Sequence, residues 1–240
     1  MKTIVRGKET PGGCAYLPGR TARKEYMYVA ALDRDEYMAY LLAGWRRFGR
    51  TLFRPRCPSC SACQSLRIDP RRFEPDRGQR RCRKTNEGAV RLEIGAPAVT
   101  RAKMALFDRF HDERSEVRGW PVHPRDTAAD YVARFVDNPF PTQEWCYYLD
   151  GALVGIGYVD DLPGGLSAIY FGYEPAHRER SLGTWNVLSL IDRALALALP
   201  HVYLGYCVAG CPSLEYKARF RPHQILDADG EWRDCIPSGA

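Results

Sequence analysis

The stretch from Arg54 to Asn86, RPRCPSCSACQSLRIDPRRFEPDRGQRRCRKTN, constrains this chain more than any other. Cys57, Cys60 and Cys63 stand in it at even spacing, and thiols packed this closely ask for a metal, a cluster or a redox role. Behind them come Arg67, Arg71, Arg72, Arg77, Arg80, Arg81, Arg83 and Lys84, against only Asp69, Glu74 and Asp76. A basic run this dense asks for a polyanion. Few aromatics interrupt it apart from Phe73, so the cations suit phosphate contacts better than base stacking. The plainer alternative is a solvated basic face.

Cys14, upstream beside a Pro/Gly turn, would complete a four-thiolate set with Cys57, Cys60 and Cys63. Zinc is the commonest occupant of such a set, and an iron–sulfur cluster uses the same ligands. The alternative is a group of reduced, partly buried thiols. Cys82, Cys146, Cys207, Cys211 and Cys235 are isolated and read as small buried apolar residues. The chain has nine cysteines in 240 residues, too long and too rich in ordinary core residues to need a disulfide scaffold. Its start, MKTIVRGKETPGGC, lacks the apolar core of a signal peptide, and no apolar run approaches the ~18 residues of a membrane span. A cytoplasmic protein with reduced thiols and no membrane partner is expected.

Hydrophobic periodicity gives the order of elements. Residues 1–24 read as a polar lead-in with turns. A strand follows over Glu25 to Leu32, then a helix capped by Asp33 and running from Asp35 to Arg47, with Arg46 and Arg47 near its end. Thr51–Arg54, Leu66–Asp69 and Val90–Ile94 are short strands, and Gly78–Thr85 is a helix or a basic loop. After a linker at Gly95–Pro97, Thr100 caps one helix and Asp126 or Thr127 begins another. Strands at Glu144–Leu149 and Leu153–Val159 flank an Asp150-Gly151 hairpin signal. A turn over Asp160–Gly165 leads to a strand at Leu166–Tyr173. Ser181 caps a helix over Leu182–Leu199 with Leu188, Ile191 and Leu195 inward. His201–Tyr206 is a strand, Leu214–Phe220 a short helix or irregular segment, and Gln224–Leu226 the start of a last strand.

Two units are expected: 1–95, carrying the cysteines and the basic stretch, and 98–240. The second resembles the GNAT-type acyltransferases in its order of elements. The fold class is therefore α+β, a GNAT-like N-acyltransferase core of mixed sheet flanked by helices, with an N-terminal cysteine-containing region. In that fold a helix N-terminus after the central strand holds an anionic acyl donor. Here Ser181, Gly183 and Thr184 stand there, with Arg178 and Arg180, and would suit a phosphate. The match to a coenzyme A loop is poor. Further on, Tyr206, Tyr216, Lys217 and Arg219 gather phenols and cations after a strand, able to hold a carboxylate or a phosphate.

Several motifs in order resemble the aminoacyl-tRNA–protein transferases, specifically the bacterial aspartate/glutamate leucyltransferase branch, with the eukaryotic arginyltransferases as relatives. They are Cys14-Ala15-Tyr16-Leu17-Pro18, Gly44-Trp45-Arg46-Arg47-Phe48-Gly49, Arg54 to Cys63, Gln79-Arg80-Arg81 with Asn86, Ser167 to Tyr170, Ser181 to Thr184, and Tyr203 to Tyr206 with Tyr216 to Phe220. The chain departs from the pattern at Gly78, where a Ser is usual, and over Phe171–Pro175.

The resemblance implies transfer of leucine from leucyl-tRNA to the α-amine of proteins beginning with Asp or Glu, marking them for degradation by the N-degron route. It implies no organic cofactor. The expected catalytic residues are Tyr206, Lys217 and Asp160. Arg67, Arg77, Arg80, Arg81, Lys84, Ser181, Gly183, Thr184, Tyr216 and Arg219 are expected to bind substrate. Cys14, Cys57, Cys60 and Cys63 are expected around a structural zinc or iron–sulfur cluster. Two alternatives stand beside this: the same reaction with arginine from arginyl-tRNA, and a non-catalytic metal-stabilised nucleic-acid-binding module.

Overall fold

A computed structural model describes residues 1–235. The first half supplies β1 (Lys2–Lys8), a small ladder of β2 (Gly12–Gly13) and β3 (Thr21–Ala22), β4 (Lys24–Ala31), α1 (Arg34–Leu42), β5 (Arg46–Phe48), β6 (Thr51–Pro55), β7 (Gln64–Ile68), α2 (Arg77–Asn86) and β8 (Val90–Gly95). The second half supplies α3 (Arg101–Arg118), α4 (Ala128–Tyr131) with a wide turn over Val132–Val136, β9 (Thr142–Leu149), β10 (Ala152–Leu162) and β11 (Gly165–Tyr173). A 3-10 turn at Pro175–Arg180 leads to α5 (Leu182–Ala196) and β12 (Val202–Cys207). Then come α6 (Pro212–Glu215) with a 3-10 turn at Tyr216–Arg219, β13 (Gln224–Leu226) and β14 (Trp232–Asp234). No helix among the described residues is long and apolar enough to cross a membrane.

Two main sheets organise these elements. One has the order β1-β4-β6-β5 and the other β14-β13-β7-β12-β11-β10-β9-β8. The larger sheet is mixed: β11 and β12 run parallel and the other neighbours antiparallel. With helices against it, the architecture is α+β. β7, from the first half of the chain, lies between β12 and β13 of the second. The connection at 95–98 therefore joins segments of one sheet.

The sheets share a core. Met27, Leu52, Tyr37, Leu41 and Trp45 of the smaller sheet and α1 pack with Leu162 and Tyr203 of the larger one. On the larger sheet, Leu188 and Ile191 of α5 pack into a cluster with Trp145, Tyr147 and Leu166. Each such side chain contributes about 1.5–3 kcal/mol by leaving water.

Several expectations need correction. Residues 2–8 form a strand, although nearly all of its side chains are exposed; it is an edge strand held by backbone pairing to β4, which no burial pattern announces. Asp33 caps α1 through Asp35 and Glu36 backbone N–H groups, but the helix ends at Leu42. Gly44, at φ +81°, turns the chain, and Arg46 and Arg47 continue as β5. β10 extends through Asp160 and Asp161, so the turn is only Pro163-Gly164. Leu195 projects into solvent because the inward row of α5 passes through Ala194 instead. α2 is a helix over its whole basic run, and β14 adds a strand beyond the expected last one.

Candidate active site

Helix α2 begins at a reciprocal cap. Gln79 N–H donates to Asp76 Oδ1 and Asp76 N–H donates to Gln79 Oε1, each at 2.8 Å. The buried Gln79 amide also donates to the Arg219 carbonyl at 3.2 Å, tying the helix to the segment after α6. At the other end, Asn86 Nδ2 donates to the Arg180 carbonyl at 2.8 Å, and Arg83 pairs with Asp192 of α5 at 2.7 and 2.9 Å. These bonds hold α2 beside the start of α5.

Between them opens a cleft of about 170 Å³. Arg81 reaches it from α2, Ser181 and Thr184 from the start of α5, and Tyr216 and Arg219 from the 3-10 turn, with Gly78 and Phe220 completing the walls. Five of the expected substrate-binding residues thus converge from three distant parts of the sequence. Ser181 adopts a left-handed conformation (φ 54°, ψ 46°) and its side chain makes no cap to α5. The positive end of a 15-residue helix therefore faces the cleft beside two guanidinium groups. Arg219 makes an exposed 3.2 Å contact with Asp76, whereas Arg81 has no carboxylate partner among the described residues. The chemistry of the cleft suits one small anion.

The other expected binding residues lie elsewhere. Arg77, Arg80 and Lys84 project outward from α2, Arg80 folding back onto the Pro75 carbonyl. Gly183 sits in the first turn of α5 beside Tyr173. Arg67 on β7 donates to Gln224 at 2.7 Å and stacks on Trp232 at 4.4 Å, away from the cleft.

A second gathering lies where β11 and β12 part. Only Leu166–Val202 and Ser167–Tyr203 are paired between them, and both strands continue beyond. Arg46, buried, sends Nη2 to the Ala168 carbonyl on the unpaired part of β11. Gly205 of β12 makes room for it: a Cβ there would stand 3.3 Å from Arg46 Nε. Lys217 Nζ donates to the Tyr206 carbonyl at 2.8 Å. Burial, and then the Arg46 charge, push the Lys217 amine down to about 7.

Tyr206 itself is a fold residue in this arrangement. Its buried hydroxyl donates to the Gly44 carbonyl at 2.9 Å, and burial raises its pKa above the ordinary phenol value. Asp160 is separated from the group altogether. It is fully enclosed and held by Arg47 Nε and Nη2 at 2.8 and 2.7 Å and by Thr142 Oγ1 at 2.8 Å. A carboxylate saturated and sealed in this way has no path to a substrate proton.

The cysteines share a neighbourhood. Cys14 Sγ accepts from the Tyr16 and Leu17 N–H groups at 3.4 Å each. Burial first, and then Cys57, Cys14, Cys60 and Cys211, push the Cys63 thiol up to about 12. Cys211, isolated in sequence, therefore belongs with the set. Among the described residues no three Cys, His, Asp or Glu side chains form a group that could hold a metal ion.

With this geometry in view, comparison with known proteins places the chain. Residues 12–81 match the family model described as "Arginine-tRNA-protein transferase, N terminus", and residues 102–227 match "Arginine-tRNA-protein transferase, C terminus". The chain belongs to the arginine-tRNA-protein transferase family. Within it, the chain is 39% identical over 229 residues to the aspartate/glutamate leucyltransferase of Halorhodospira halophila, covering 92% of each. It is 36% identical over 237 residues to that of Marinobacter nauticus (98% of this chain, 97% of the relative) and 38% over 228 to that of Parvibaculum lavamentivorans (93% and 91%). The solved structure of L-PGS from Bacillus licheniformis overlaps 75% of this chain and 52% of its own at 13% identity and a TM-score of 0.44, too loosely to bear on fold or function.

For this member of the transferase family, residue patterns alone do not announce three side chains that build the site: Arg46, Gln79 and Asn86. Arg46 stands in a motif of the resemblance, where its charge reads as the end of a helix. Gln79 and Asn86 stand in another, and the signal available is the Asp76–Gln79 capping spacing. Their long-range partners, 140 and 94 residues away, leave no local trace.

Proposed function

We propose that the protein transfers leucine from leucyl-tRNA to the α-amine of proteins whose first residue is Asp or Glu. The observation that carries this reading is the convergence of Arg81, Arg219 and the α5 N-terminus on one small cleft. Its size and charge suit the acidic side chain of an acceptor better than a nucleotide. Relatives named aspartate/glutamate leucyltransferase, similar over nearly the whole chain, support leucine rather than arginine as the transferred residue. The cytoplasm, where charged tRNA is available, is the compartment this reading requires.

The finer fold reading, a GNAT-like core, is supported by the antiparallel run β9-β10-β11, the helix α5 and the parallel return of β12. The ester lies where β11 and β12 part, beside Arg46 and Lys217. The acceptor α-amine attacks the ester carbonyl, the nitrogen loses a proton, and the ribose oxygen of the tRNA leaves and takes one. Lys217, with its amine near neutrality, accepts the first proton and returns it to the leaving oxygen. Arg46 stabilises the negative oxygen of the tetrahedral intermediate. Aminolysis of an ester needs no covalent enzyme intermediate, so no nucleophilic Ser or Cys is assigned. The outward Arg77, Arg80 and Lys84 attract tRNA phosphates.

Zinc or an iron–sulfur cluster held by Cys14, Cys57, Cys60 and Cys63 would be structural. The shared neighbourhood and the two N–H groups on Cys14 favour it; the open arrangement does not. No chemical step runs through it. Metal analysis of the purified protein tests it, with one bound site per chain as the expected result.

The function is tested by incubating the protein with labelled leucyl-tRNA and peptides beginning with Asp, Glu, Lys or Ala. Label is expected on the Asp and Glu peptides only. Equal labelling of the Lys peptide would remove the role given to the cleft.

A further inference from the structure

Gly78 is the second residue of α2 and stands in the wall of the cleft. Its backbone does not call for glycine, because its φ lies outside the left-handed region. Glycine also weakens a helix relative to any residue but proline. What sets the position apart is the space beside it. A Cβ built there would stand 3.2 Å from Asp76 Oδ1 and 3.4 Å from Arg219 Nη2. The first atom caps α2, and the second belongs to one of the two guanidinium groups of the cleft. Glycine therefore keeps a methyl-sized space open between the helix cap and Arg219.

The residues around that space divide into fixed and movable. Asp76 Oδ1 is committed to the Gln79 N–H at 2.8 Å, and the Gln79 amide holds the Arg219 carbonyl at 3.2 Å. The backbone of Arg219 is thus pinned to α2. Its guanidinium is not: it touches Asp76 Oδ2 at 3.2 Å, with the two side chains 68% and 39% exposed. A surface pair of this kind is worth little, so an incoming carboxylate can take the place of Asp76 on the guanidinium.

We propose that Gly78 sets the length of acidic side chain the cleft accepts, and that its missing side chain is what admits Glu as well as Asp as the first residue of an acceptor. The inference deepens the reading that the cleft holds the acceptor's carboxylate, and rests on it. Such an acceptor is held at two points. Its α-amine must reach the ester beside Arg46 and Lys217, and its carboxylate must reach Arg81 and Arg219. Asp and Glu carry the same charge and differ by one methylene. With both ends held, the extra methylene of Glu needs room next to the guanidinium that binds the carboxylate. The space beside Gly78 is that room. In a cleft of about 170 Å³, filling it with one carbon crowds Glu and leaves Asp, which is one carbon shorter, nearly unaffected.

The test uses the full chain and two readouts. Binding of two peptides, identical except for a first residue of Asp or Glu, is followed by calorimetry without tRNA. Steady-state transfer from leucyl-tRNA gives KM for each peptide and for the tRNA. Gly78→Ala and Gly78→Ser are both made, since serine can donate a hydrogen bond to Asp76 where alanine crowds it, and circular dichroism checks that the helices persist. Each variant is expected to weaken the Glu-first peptide by roughly 10- to 100-fold more than the Asp-first peptide, in Kd and in KM alike. KM for leucyl-tRNA should not move. A merely structural role for Gly78 would weaken the two peptides equally. Equal losses, no loss, or a larger loss for the Asp-first peptide in the folded variants would overturn the proposal, as would a parent protein that binds neither peptide. The two readings fail separately. A parent that binds both peptides, with the ratio shifted in the variants, but transfers nothing would contradict the reaction and leave the role of Gly78 standing. Transfer of leucine with an unmoved ratio would do the opposite.

Discussion

Arg47 holds Asp160 through two hydrogen bonds, 2.8 and 2.7 Å long, with both side chains sealed from solvent. The pair joins β5 of the smaller sheet to β10 of the larger. Arg47 also donates to the Gly49 carbonyl, Asn138 and Thr142, so its charge is fully engaged. Removing one partner leaves an uncompensated buried charge. Asp160→Ala is therefore expected to cost about 3–5 kcal/mol of stability, read as a lower midpoint in urea. Protein that remains folded should transfer leucine with unchanged KM values. A folded but inactive variant would return Asp160 to the chemistry.

Tyr206→Phe removes the hydroxyl that satisfies the Gly44 carbonyl. The expected cost is about 1–3 kcal/mol of stability, because a buried acceptor is left unpaired. Transfer by the folded variant should persist, as measured under conditions where circular dichroism reports full folding.

Lys217 gives two pH signatures. Its amine is near 7 in the folded chain and about 10.4 when unfolded. Between those values the unfolded chain holds a proton that the native chain has released, so stability rises with pH from about 7 to about 10.5 and is flat below. Lys217→Met should raise the thermal midpoint, and by more near about pH 6 than near about pH 10. In catalysis, the limb of the pH–rate profile centred near 7 should vanish in Lys217→Arg, which stays protonated, leaving only the limb of the acceptor α-amine near ~8. An unchanged profile would argue against Lys217 as the proton acceptor.

The cations divide by position. Arg81→Glu and Arg219→Ala should raise KM for a Glu-first peptide by roughly 10- to 100-fold, the worth of a charge-assisted hydrogen bond, with KM for leucyl-tRNA little changed. The combined change of Arg77, Arg80 and Lys84 to Gln should do the reverse: it weakens tRNA binding and flattens its salt dependence. Identical behaviour of the two sets would dissolve the distinction between cleft and outer face.

Local chemistry made part of this molecule legible in its sequence. Asp150-Gly151 marked the β9–β10 hairpin, and Asp33 and Thr100 marked the starts of α1 and α3. Asp160-Asp161 beside Pro163-Gly164 looked like a solvated turn because residue types cannot show that Arg47, 113 positions earlier, continues the strand into the core. Arg46-Arg47 looked like a helix end because cations suit one; Gly44 redirected the chain first. Residue type and motif name Arg81, Ser181, Thr184, Tyr216 and Arg219 as substrate-binding candidates, but the cleft they line depends on Gln79 and Asn86 bonding across to other elements. The strand at Lys2–Lys8 was hidden for another reason: exposed edge strands carry no burial pattern to read.

The most direct test of the central claim is a competition. The protein is incubated with equal amounts of leucyl-tRNA and arginyl-tRNA and one peptide beginning with Asp, and the product is sequenced by mass spectrometry. The expected product carries leucine joined to the α-amine of the Asp residue. Arginine at that position, or no amino acid added at all, would contradict it.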